Sequence, residues 1–116
     1  MFLQISHTKL NVYAHANELI VDCYAFVRSL PAEEKYNLSQ QIKRAALSVK
    51  LNIAEGATRK SLRERKRFFE ISRGSLVEID AAFEVCVKLN YFKEENLASL
   101  SVLVNKIYGM LSKMIA

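Results

Sequence analysis

Apolar residues along this chain recur at steps of three and four, the spacing that gathers side chains on one face of an α-helix. The first such run predicts a helix from about Thr8 to Arg28, with Tyr13, Ala16, Ile20, Cys23 and Val27 on one face. Leu19 and Phe26 widen the stripe, Glu18 and Asp22 lie opposite, and Thr8 is the candidate N-cap. Ser29-Leu30-Pro31 ends the run, because proline disfavours the α conformation in the residue before it and suits the first turn of a new helix. Glu33 and Glu34 then place negative charge near the start of a second helix, where the dipole favours it. Leu38, Ile42, Ala45, Val49, Ile53 and Gly56 carry a core stripe on to about Ala57.

A break between Gly56 and Lys60 precedes the third helix. Ser61-Leu62-Arg63-Glu64 has the Ser-x-x-Glu spacing of a capping box, in which each end satisfies a backbone N–H of the other. The pattern then runs unbroken to about Asn90, a length of ~45 Å at the helical rise. Leu62, Phe69, Leu76 and Phe83 form one seam, Ser72, Ile79 and Cys86 a second, and Phe68, Ala82 and Leu89 a third. Tyr91-Phe92 closes this helix. A fourth is expected from about Glu94 to Ile115, with Leu97, Leu100, Val104, Ile107, Leu111 and Met114 on its apolar face.

Four amphipathic helices with short connections predict an all-α fold, an antiparallel up-down-up-down four-helix bundle, in a single domain over residues 1–116. Punctuation supports this. Three glycines and one proline are too few for a sandwich or barrel, which needs a turn about every 8–12 residues. The third helix has more apolar circumference than one core requires. Phe68, Phe69, Ile71, Leu76, Ile79, Phe83 and Val85 cannot all face inward, so a patch used for self-association is expected.

The remaining composition is that of an ordinary globular protein. No run approaches the ~18 apolar residues of a membrane span, so no membrane partner is expected. The opening MFLQISHTK is too short for a signal-peptide core and no small-residue cleavage site follows it. Cys23 and Cys86 lie far apart among apolar neighbours, without metal-ligand spacing, and read as reduced core thiols. A cytoplasmic location is the corresponding expectation.

The net charge of +5 is concentrated. Between Ala57 and Ser75, Arg59, Lys60, Arg63, Arg65, Lys66, Arg67 and Arg73 face only Glu64 and Glu70. The rest of the chain has ten basic and ten acidic side chains and is neutral. Several of these cations sit at a helix N-terminus, against the dipole, which makes sense if an anion is met there. Nucleic-acid phosphate is the obvious anion, and RNA or DNA the candidate partner. A solvated charged face is the plainer reading. Without base-reading motifs, binding would be electrostatic and weakly specific.

Catalytic signals are missing from the pattern. Di-metal bundles need Glu-x-x-His pairs projecting into the core, whereas His7 and His15 are the sole histidines and neither follows a glutamate by three. There is no phosphate-cradling glycine loop and no nucleophile elbow. No enzyme activity, metal or cofactor is expected.

The second helix carries Gln41, Arg44, Ser48, Asn52 and Glu55 beside its apolar stripe. These form either a solvated flank or a hydrogen-bonded seam to another helix or subunit. With helices two and three antiparallel, Arg44–Glu78 and Glu55–Arg63 are candidate ion pairs. Gly74 is costly in mid-helix, by ~1 kcal/mol relative to alanine. Packing of Gly74-Ser75 against Ala45-Ala46 is its expected reason.

The run Leu30-Pro31-x-x-Glu34-x-Tyr36-x-Leu38-x-x-Gln41-x-x-Arg44-Ala45-Ala46-x-Ser48 is followed by Asn52-Ile53-Ala54-Glu55-Gly56-x-x-Arg59. Phe68 and Arg73-Gly74-Ser75-x-x-Glu78 come next. Together they closely resemble the four-helix bundle proteins encoded by intervening sequences in bacterial 23S rRNA genes, a ribosomal protein-like family, over nearly the whole chain. More distantly, the sequence is similar to the accessory protein of diversity-generating retroelements. That resemblance implies a homopentamer with a basic surface engaging nucleic acid and a protein partner, and no catalysis. Arg44, Asn52, Glu55, Gly56, Gly74 and Glu78 are the family-motif positions it marks. Tyr13 departs from the family's frequent tryptophan, and Val49-Lys50 from its frequent Ile-Pro. The expected function is therefore an oligomeric, non-catalytic bundle that binds RNA or DNA through the start of helix three. The alternative is a protein-interaction scaffold without nucleic-acid contact.

Overall fold

A 3-10 turn at Ser6–Lys9 leads into the first helix, α1 (Asn11–Arg28), in a computed structural model that describes residues 1–116. Thr8 therefore does not cap α1. Its hydroxyl donates to the Ile5 carbonyl at 2.9 Å within the turn, and Leu10 holds the N-cap position without a side-chain acceptor. The buried face of α1 is Val12, Ala16, Leu19 and Cys23. Tyr13 sits at its edge, with the Lys50 ammonium 5.1 Å from its ring centroid.

The second helix, α2 (Leu38–Thr58), starts later than its acidic prelude suggests. Pro31 opens a separate 3-10 turn, Ala32–Glu34. Glu34 does not serve the α2 dipole: it is turned inward and buried. Its Oε2 accepts from the Tyr91 hydroxyl at 2.7 Å, and its Oε1 from Asn37 Nδ2 at 3.3 Å. A buried carboxylate needs such donors, because desolvation without them costs several kcal/mol.

The third helix, α3 (Leu62–Lys88), begins where the Ser-x-x-Glu box places it. Ser61 Oγ accepts from the Glu64 N–H at 3.1 Å. Its other end is a Schellman cap. Asn90 takes the left-handed region (φ 62°), the Tyr91 N–H donates to the Cys86 carbonyl, and the Asn90 N–H to that of Val87, each at 2.9 Å. This turn is what aims Tyr91 at Glu34. A last 3-10 turn, Glu94–Leu97, precedes α4 (Ala98–Ile115).

The four helices bury one core, centred on Leu19, Ile42, Val49, Ile53, Leu76, Ile79, Ile107 and Leu111. Each such side chain contributes about 1.5–3 kcal/mol relative to exposure. Phe26, Phe83 and Phe92 close one end as an aromatic cluster, centroids 5.4–6.1 Å apart. Contacts between α2 and α3 fix their register. Ser72 Oγ donates to the Val49 carbonyl at 2.7 Å, Ser75 Oγ to Ser48 Oγ at 2.8 Å, and Gly56 abuts Phe69. Partners descend along α2 as they ascend α3, so the pair runs antiparallel.

The glycine that lets these helices approach is Gly56. A Cβ there would stand 2.7 Å and 2.9 Å from the ring of buried Phe69 and 3.1 Å from the Arg65 carbonyl oxygen. Gly74, expected to pack on Ala45-Ala46, is instead exposed with no atom within 4 Å of its would-be Cβ. The core contact falls one residue on, at Ser75. Of the seven crowded apolar residues of α3, Phe69, Leu76, Ile79 and Phe83 are buried and Phe68 half-buried, while Ile71 and Val85 face solvent.

Candidate nucleic-acid interface

The basic segment occupies the α2–α3 turn and the first turns of α3, and its seven cations divide by what they touch. Arg59 follows the end of α2, where its guanidinium pairs with the Glu55 carboxylate one turn back and lies 5.1 Å from the Phe68 ring centroid. Arg73 is half-buried. It donates to Ser112 Oγ at 3.1 Å and lies 5.6 Å from the Tyr108 ring centroid, tying α3 to α4. These two are engaged in the fold. Lys60, Arg63 and Arg67 are exposed, Arg65 and Lys66 half-buried, and none of the five has a carboxylate within ion-pair distance. Arg63, Lys66 and Arg67 share a shallow, wholly polar depression with Ser61, Glu64 and Glu70. The structure thus brings three of the seven cations together, with two carboxylates among them.

Two proposed ion pairs are corrected. Glu55 reaches Arg59, on its own side of the turn, and not Arg63. Arg44 and Glu78 are level in the register that the serine contacts define. Both are exposed, and they form no salt bridge. Of the polar seam on α2, Ser48 meets Ser75. Asn52 folds back on Ser48, donating to its carbonyl at 2.9 Å and its hydroxyl at 3.0 Å.

Cys23 and Cys86 are free and buried. Burial, with Asp22 adding to it, pushes the Cys23 thiol up to about 12. Burial and then Glu34 raise Cys86, against a smaller opposing backbone hydrogen bond. Both are therefore thiols at neutral pH, not nucleophilic thiolates. His15 Nδ1 lies 3.5 Å from a Glu18 carboxylate oxygen without hydrogen-bond alignment, and His7 packs edge-on to Tyr13. No three His, Cys, Asp or Glu side chains converge as metal donors. No helix is long and apolar enough to cross a membrane.

Sequence reasoning did not find the Tyr91–Glu34–Asn37 cluster. It also missed a 520 Å³ groove between the second half of α3 and the start of α4, rimmed by Asp80, Glu84, Glu94 and Glu95. The one signal for the groove is the acidic excess between Glu78 and Glu95, five carboxylates against Lys88 and Lys93.

An all-α four-helix bundle with a basic segment at the start of its third helix is the class that fold and site define. The family model for the 23S rRNA-intervening sequence protein matches residues 8–113, and the chain belongs to that family. No curated protein matches the chain significantly.

Proposed function

We propose that the protein is a non-catalytic, self-associating bundle that binds RNA or DNA electrostatically through the start of α3. The observation carrying this reading is the set of five cations without carboxylate partners, Lys60, Arg63, Arg65, Lys66 and Arg67, around a helix N-terminus. Cations in the first turn oppose the macrodipole, and none of these has a carboxylate within ion-pair distance, so an external anion would stabilise them. A polyanion fits better than a small anion, because the charges spread over the α2–α3 turn and more than one turn of helix. Contacts of this kind position a phosphate backbone and do not read bases. Arg59 and Arg73 hold the surface in place and stand outside the contact set.

Gel-shift titration with an RNA hairpin and with duplex DNA, each over a salt series, tests the proposal. Complexes should form at low salt and weaken steeply as salt rises. Arg63→Glu with Arg67→Glu should abolish them while the circular dichroism spectrum is unchanged. Absence of a complex at low salt, or full binding by that double variant, overturns the reading. Self-association is tested separately, by light scattering against the 13.2 kDa protomer mass.

A further inference from the structure

The groove between the second half of α3 and the start of α4 has an apolar lining and an acidic rim. Phe83, Val87, Leu97 and Val104 contribute to the lining, and Val87 and Val104 stay half-buried although both pack on the core. The α4 wall is low, because Ala98, Ser101 and Asn105 stand there at steps of three and four. Asn105 folds back along its own helix, donating to the Ser101 carbonyl at 2.9 Å. These short side chains leave a channel of 520 Å³ along α3 from Ile79 to Lys88. That stretch is about 14 Å at the helical rise, between two and three turns.

Four carboxylates, Asp80, Glu84, Glu94 and Glu95, surround the channel against one cation, Lys88. All four are exposed and none forms a salt bridge. Asp80 and Glu84 stand one turn apart, a spacing at which like charges destabilise a helix. Glu84 and Lys88 have the order and spacing of a favourable ion pair, yet they do not form one. In a chain of net charge +5 this is a local concentration of negative charge, placed at the edge of an apolar channel.

Lining and rim together select an occupant. A channel between two helices is filled by a third helix laid along it, whose side chains at i, i+3, i+4 and i+7 enter the groove. The carboxylates call for lysine or arginine on both flanks of that stripe, with stems that cover apolar surface while the heads reach the rim. The chain's own basic segment lacks the stripe. In the first two turns of α3, Phe69 is buried against Gly56 and Phe68 is half-buried beside Arg59, which leaves Leu62 alone exposed among the large apolar side chains.

We propose that the α3–α4 groove docks a basic amphipathic helix of a different protein, with apolar side chains on Val87 and Val104 and cationic ones on Asp80, Glu84, Glu94 and Glu95. This surface lies apart from the basic start of α3, and the proposal does not depend on nucleic-acid binding. Docking covers the two valines and relieves the repulsion between Asp80 and Glu84.

Fluorescence anisotropy with synthetic peptides of about four helical turns tests it on the full chain. One labelled peptide has leucine at i, i+3, i+4 and i+7 and lysine elsewhere. A second has the same composition in scrambled order, and a third replaces lysine by glutamate. The patterned basic peptide should bind saturably, and the other two at least about tenfold more weakly. Asp80→Lys with Glu84→Lys should weaken the patterned peptide by at least about tenfold, and Ser101→Trp, which fills the groove without changing charge, should do the same. Glu18→Lys with Asp22→Lys makes the same change of charge at the same spacing on α1 and should leave binding unchanged. Circular dichroism checks each fold. Absence of binding to the wild type, equal binding of the scrambled peptide, or equal losses in the α1 control overturns the proposal. A fall in the wild-type particle mass by light scattering in the Asp80, Glu84 variant also overturns it, because copies of the chain would then occupy the groove.

Discussion

At the scale of single residues, the two glycines of the α2–α3 pair should respond in opposite ways to the same substitution. Gly56→Ala would drive a methyl group into the Phe69 ring and towards the Arg65 carbonyl. It should destabilise by about 1–3 kcal/mol, the usual cost of overfilling a packed site. Gly74→Ala meets nothing and should raise protomer stability by about 1 kcal/mol. Urea midpoints of the two variants check the pair. The buried thiol of Cys23 makes a second residue-level prediction. It titrates near 9.0 when unfolded and near 12 when folded. Below that window both states keep the proton; within it only the unfolded chain releases one. Stability should therefore fall as pH rises through the window, by up to about 1.4 kcal/mol per pH unit. Tyr91 acts in the same direction: its hydrogen bond to Glu34, aided by desolvation, holds its hydroxyl up from 10.0 to about 12. Urea midpoints from about pH 8 to about pH 11 should decline, and Cys23→Ala should flatten part of the slope.

At the scale of elements, stability rests on how helices end. Ser61→Ala removes the acceptor for the Glu64 N–H and should cost about 1 kcal/mol. Asn90→Ala puts a Cβ-bearing residue without a local hydrogen-bonding side chain at φ 62° and should cost about as much. The same comparison shows what the sequence made legible. Ser61 and Pro31 are local signals, readable because a cap or a ring acts on its own backbone: α3 starts after the one and α1 ends before the other, although α2 begins only at Leu38. Thr8 carried an equally good cap signal and was misread, since a 3-10 turn uses the same hydroxyl and differs only by tertiary contact with α2. Glu34 and Tyr91 are 57 residues apart, and no periodicity joins them. Gly56 and Gly74 look alike in sequence. Only the register, set by Ser72–Val49 and Ser75–Ser48, decides which one faces its neighbour. The basic segment was legible as a charge count, but whether an arginine is free or held by Ser112 and Tyr108 depends on α4.

At the scale of the whole molecule, charge is graded along α3. Its first turns hold Arg63, Lys66 and Arg67, while Asp80 and Glu84 lie near its far end beside Glu94 and Glu95. A polyanion bound at the basic end is repelled from the other, which limits how many phosphates one protomer can neutralise. Lys60, Arg63, Arg65, Lys66 and Arg67 give five free cations, so the logarithm of the binding constant should fall against that of salt with a slope of about −4.5 on duplex DNA. On a single strand the slope should be about −3.5. Arg63→Glu or Arg67→Glu alone should shallow it by at least about 0.9. Arg73→Gln should leave it unchanged, because that guanidinium is already committed to Ser112 and the Tyr108 ring. A salt titration by fluorescence anisotropy reads all of these numbers. A slope near a whole multiple of the protomer value would mean that several copies lay their basic ends on one nucleic acid. A slope near zero would mean that the cluster at the start of α3 only keeps the protein in solution.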